Sequence, residues 1–160
     1  MNQFKKYQWL ILIIIIAGSF LAWGKFNQAT IVTFWPNTNI ACLNNGHTNI
    51  NLHIHSELSI KVKGQTLAIP ANIGILPNCM AEVHTHDEVG KVHIESLSKE
   101  RKITLGDFFA VWGKDFSDTK FMDHDLVAGD SLKLYVNGQE EKSLNEYILK
   151  DNEKLEIILE

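Results

Sequence analysis

Five of the seven histidines in this chain fall between His53 and His93, as two His-x-His pairs (His53 and His55, His84 and His86) and the single His93. Neutral imidazole is the commonest side-chain ligand for transition metals. Residues i and i+2 of a strand point to one face, so each pair can set two ring nitrogens side by side. The stretch VHTHDEVGKVHIE, Val83 to Glu95, is short enough to be one hairpin. With a two-residue turn at Val89-Gly90, or a four-residue turn from Glu88 to Lys91, His86 lies opposite His93 and His84 opposite Glu95. Directly opposed residues have Cβ atoms about 4.5–5.5 Å apart, within reach of one ion. A loop one residue longer or shorter sends His93 to the other face, so register carries the inference.

His84, His86, His93 and Glu95 then form one metal-binding cluster, and His53 and His55 supply further ligands if their hairpin lies alongside. Asp87 and Glu57 are placed as carboxylates able to hold an imidazole tautomer from behind. Nitrogen ligands with a carboxylate or water suit copper or zinc, and the ligand set does not choose between them. Two alternatives stand beside metal binding: a structural polar network in which carboxylates satisfy the histidines, and a pH-responsive site. His47, in a loop, and His124, in MDHD, read as surface residues. Cupins also use His-x-His on strands, but Glu57 and Glu88 follow their histidines too closely for that pattern.

These residues need strands beneath them. Leu52, Ile54, Ser56, Leu58, Ile60 and Val62 alternate, so a strand there turns them inward and puts His53, His55, Glu57 and Ser59 on the other face. Lys63-Gly64 marks a turn, and Pro70 ends the return strand or confines it to an edge. Leu105, Phe108, Phe109 and Trp112 follow helical spacing, with Thr104 and Asp107 placed as a capping box and Gly113 as the stop. Leu132, Leu134 and Val136 alternate into Asn137-Gly138, a strong hairpin signal, and KLEIILE ends the chain as a strand. The predicted class is α+β: mainly antiparallel β-hairpins with one packed helix, an order that a β-grasp-like arrangement fits.

Before this domain, Lys5 and Lys6 precede an uncharged run from Tyr7 to Gly24, close to the roughly 20 residues that cross a bilayer. Trp9 and Trp23 sit at its ends, where indoles prefer the membrane interface, and the lysines favour a cytoplasmic N-terminus. Residues 1–25 are thus predicted to be a single-pass transmembrane anchor, with a cleavable signal peptide as the competing reading. Residues 26–50 form a tether or domain edge, and residues 51–160 an extracytoplasmic domain in the periplasm or outside the cell. Cys42 and Cys79, an even pair in an exported chain, read as a disulfide, the alternative being Cys79 as a thiolate ligand. A net charge of -4 with scattered lysines argues against nucleic acid as a partner.

The motif order HIHSELSIKVKGQ, IPANIGI, HTHD, HIE and TLGDFFAVWG resembles a set of uncharacterised exported or membrane-anchored bacterial and archaeal proteins. The resemblance spans roughly His53 to Gly113. It implies that His53, His55, His84, His86, Asp87, His93 and Glu95 travel as a unit, and it brings no activity with it. The expected function is therefore a membrane-anchored domain that handles or senses copper or zinc. A metal-dependent enzyme using Glu57, Glu88 or Asp87 as base is one alternative, and an envelope interaction domain with structural histidines is another.

Overall fold

In the computed structural model, residues 32–44 and 46–160 are described. The expected anchor, Tyr7 to Gly24, lies outside them, and among the described residues no helix is long and apolar enough to cross a membrane.

Alternation in the sequence becomes the longest strand, β1 (Leu52–Val62), whose Ser56, Leu58 and Ile60 are buried while His53, Glu57, Ser59 and Lys61 face away. Lys63 and Gly64 both take positive φ, 49° and 81°, which makes a tight two-residue turn into β2 (Gln65–Leu67). The return strand ends there, three residues before Pro70. A small hairpin follows, β3 (Ile75–Leu76) and β4 (Cys79–Met80), and then β5 (Val83–His84) and β6 (Lys91–Ser96).

Helix α1 (Leu105–Trp112) starts at the predicted capping box: the Asp107 amide donates to Thr104 Oγ1 (3.1 Å), and the Thr104 amide donates to Asp107 Oδ2 (2.8 Å). Gly113, at φ 71°, ends it, with amides of Gly113 and Lys114 donating back to Ala110 and Phe109 carbonyls. Beyond it lie β7 (Asp115–Phe116), β8 (Lys120–Met122) and β9 (His124–Asp125), a separate three-stranded sheet. The chain closes with β10 (Leu132–Val136), the Asn137-Gly138 turn, β11 (Gln139–Glu141) and β12 (Glu153–Leu159).

The main sheet runs β11-β10-β12-β1-β6-β5, with β2 pairing the far half of β1. Every pairing in it is antiparallel except β1 with β12, which run parallel from Ser56↔Glu153 to Val62↔Leu159. One core joins Leu58, Ile60, Ile94, Leu134, Leu155 and Ile157 of this sheet to Leu105, Phe108 and Phe109 of α1. Full burial of each large apolar side chain contributes about 1.5–3 kcal/mol. The inner face of the sheet is thus committed to the core. Whatever chemistry the domain performs must use the other face or its rim.

The edge segment before β1 joins the same core through Ile40, which is fully buried. Cys42 and Cys79 are disulfide-bonded, with Cα atoms 4.9 Å apart. That pairing removes Cys79 as a thiolate ligand.

Candidate metal centre

Three adjacent strands set the histidines in a row. His84 on β5 pairs with His93 on β6, and His93 pairs with His55 on β1. The neighbouring row pairs Glu95 with His53. Because β1 lies directly beside β6, the His53/His55 pair lies next to His93.

The hairpin register differs from the predicted one by two residues, since His84 rather than His86 opposes His93. The cause is Thr85. Its amide donates to the Ile73 carbonyl (3.0 Å) and its hydroxyl to that of Pro70 (2.8 Å), which draws it out of the ladder. The rest of the loop is held where the Leu58 amide donates to the Gly90 carbonyl. An even slip leaves every side chain on its original face, so His84 and His93 still share one.

Two pairs of ring nitrogens come close: His84 Nε2 to His86 Nε2 at 3.2 Å, and His53 Nε2 to His55 Nε2 at 3.1 Å. Nitrogens bound to one tetrahedral zinc at 2.0–2.1 Å would be roughly 3.3 Å apart, so both pairs match an edge of such a polyhedron. His93 completes each pair into a three-nitrogen group, His84/His86/His93 and His53/His55/His93, with all ligand atoms of a group within 4.8 Å. Either group can hold a metal ion.

Electrostatics keep these rings ready. His84 is 0% exposed, and burial pushes its pKa down to about 4. His93 is also lowered to about 4, first by burial and then by the neighbouring His55, His84 and His86. Burial, followed by His53, lowers His55. The row is therefore uncharged at neutral pH. His84 Nδ1 lies 2.9 Å from the Ala81 carbonyl and donates to it, which leaves Nε2 with its lone pair free.

Ala81 is itself fixed from two sides. Its amide donates to the Gly74 carbonyl (2.8 Å), and it forms a bridge with Cys42 beside the disulfide. Gly74 has φ 76°, and a Cβ there would stand 2.6 Å from the Val83 carbonyl oxygen and 3.0 Å from His84 Cβ. Only glycine lets the chain approach β5 so closely.

No family model, curated protein or solved structure matches the chain. Its site is read from its own geometry.

Glu95, an expected ligand, belongs to neither three-nitrogen group. It is 0% exposed, its oxygens lie 3.0 and 2.8 Å from His47 Nδ1, and Oε1 is 3.2 Å from His53 Nε2. His47, read from sequence as a surface residue, has a side chain 56% exposed yet rests against this buried carboxylate. Its ring centroid is 5.6 Å from that of His86 and 6.1 Å from that of His84. The sequence held a signal for this: His47 follows Cys42 by the same interval as His84 follows Cys79. A disulfide between those cysteines brings the two histidines together.

The remaining candidates point elsewhere. Asp87 Oδ1 accepts the Val89 amide within the loop (3.2 Å), and Glu57, exposed, faces Lys154 at 3.7 Å. Neither carboxylate is hydrogen-bonded to a histidine among the described residues. His124 is exposed on β9, as expected of a surface residue.

Proposed function

We propose that this chain is a membrane-anchored extracytoplasmic domain that binds a transition-metal ion, copper or zinc, through its histidine face, as a metal-handling or metal-sensing module. The single observation that carries the reading is the row His84–His93–His55 with a close Nε2 pair at each end. Neutral, partly buried imidazoles, with the His84 lone pair already set by the Ala81 carbonyl, are what reversible coordination needs. The disulfide supports an oxidising compartment, and the run Tyr7–Gly24 behind Lys5 and Lys6 supports the anchor. The scaffold we propose is β-grasp-like, on the strength of the first and last strands running parallel at the sheet centre with hairpins outside them and a helix in the connection.

Binding is favoured over hydrolysis by where the carboxylates go. A water-activating site needs a base beside the open coordination position. Asp87 is engaged in its own turn, Glu57 faces Lys154, Glu88 is exposed in the loop with no hydrogen bond to a histidine among the described residues, and Glu95 is taken up by His47 and His53.

Elemental analysis tests the reading: the full chain, without a polyhistidine tag, is equilibrated with competing copper and zinc. About one equivalent of a single metal is expected, lost when His84 and the shared His93 are both replaced by alanine, which leaves neither three-nitrogen group complete. A folded chain without stoichiometric metal would make the histidines a structural network.

A further inference from the structure

The two three-nitrogen groups share His93 and differ in setting. In one, His53 is half exposed and lies 3.2 Å from Glu95 Oε1, the carboxylate buried behind it. In the other, His84 is fully buried and tied through Nδ1 to the Ala81 carbonyl. The groups are centred on neighbouring strand pairs, so two ions would sit roughly one strand spacing apart, about 5 Å. Glu95 is the one carboxylate in contact with these rings among the described residues, and Asp151 accepts the His55 amide beside them. A neutral imidazole offers one lone pair, so the shared His93 can ligate only one ion at a time.

Resting on the metal reading above, we propose that the face provides two stations for one ion. His53, His55 and His93 form an outer station that captures it. His84, His86 and His93 form an inner station that keeps it. His93 stays a ligand throughout, so the transfer exchanges the two β1 nitrogens for those of His84 and His86 without releasing the ion to water. Nothing is oxidised or reduced.

Two features set the direction. An arriving cation meets the half-exposed His53 and the Glu95 charge together, which favours capture there. At the inner station His84 needs no change of tautomer, because its proton already lies on the Ala81 side, and a ligand held in place by its neighbours binds more tightly than one that must reorganise.

The test uses Cu(II) as probe on the untagged full chain, with stopped-flow loading, electron paramagnetic resonance and release to a chelator. His53 and His86 are both exposed, so alanine at either opens no cavity. His53→Ala should slow loading by about tenfold or more while the bound ion gives the unmutated spectrum. His86→Ala should load at the unmutated rate, give a different spectrum and release its ion about tenfold faster or more. Two equivalents held at once with coupled spectra, or the same spectral change in both variants, would overturn the two-station proposal while leaving the metal reading intact. An intact chain that takes up no Cu(II) would sink both.

Discussion

His84 and His93 face each other across the β5–β6 ladder with ring centroids 5.4 Å apart and planes inclined by 13°. Two neutral imidazoles can stack in this way, whereas a charged pair at that distance in a buried setting would repel. The same environment that packs them holds both pKa values near 4, and a pH dependence follows. An unfolded imidazole titrates near 6.5, so between about 6.5 and 4 the unfolded chain carries more protons than the folded one. Stability of the metal-free protein is therefore complete above about pH 6.5 and falls as pH drops through 4, with His84 alone contributing on the order of 3 kcal/mol. Urea denaturation from pH 7.5 to 4 should show that decline. A flat profile would mean that the rings are solvated.

Metal retention should follow the same logic from the other side. Protons compete poorly for His84 and His93, so bound zinc should persist to about pH 5, where ligands titrating near 6.5 would already be mostly protonated. Dialysis against buffers of decreasing pH, with zinc measured in the retained protein, provides the check.

The Cys42–Cys79 bridge clamps the segment that carries Ala81, and Ala81 fixes the His84 tautomer. Replacing both cysteines by serine should lower stability by about 3–4 kcal/mol, measurable as a fall in Tm by circular dichroism. Metal affinity should weaken in the same variant, because the Ala81 carbonyl is no longer held against Nδ1. Unchanged affinity in a destabilised but folded variant would separate the disulfide from the site.

Gly74→Ala puts a methyl group against the Val83 carbonyl and His84 Cβ at a backbone angle that L-residues avoid. A loss of about 1–3 kcal/mol is expected from the strain. Phe108→Ala, in the core under the sheet, should cost about 3–5 kcal/mol with no direct effect on the ligands. Chemical denaturation of the two variants beside metal titration distinguishes damage at the site from damage beneath it.

Glu95→Gln keeps the shape of the side chain and removes its charge from between His47 and His53. Metal loading should slow by about tenfold or more, because the charge that meets the arriving cation beside His53 is gone. Stopped-flow loading measures this. A loading rate unchanged by the substitution would make Glu95 a purely structural acceptor.

Much of the scaffold could be read from the sequence because its signals are local. Thr104 and Asp107, Gly113, Lys63-Gly64 and Asn137-Gly138 each act within a few residues, and all behave as their chemistry predicts. The alternation of β1 also fixed which face its histidines share. What escaped depends on distant partners. Alternation in β12 marks a strand but not its direction, so the parallel pairing with β1 was invisible. Phe116 and Phe121 pack against Phe109 from strands of two and three residues, too short to show a period. The two-residue slip at His84 depends on Thr85 finding carbonyls of Pro70 and Ile73, and the contact of His47 with Glu95 on a loop more than forty residues away in sequence.

Imidazoles from neighbouring strands are proposed to hold the metal ion, and X-ray absorption on the zinc-loaded, untagged full chain reads those ligands without an intermediary. A shell dominated by imidazole nitrogens, at least three, at about 2.0 Å and with no sulfur, is expected. A shell of oxygens, or sulfur among the ligands, would contradict that proposal.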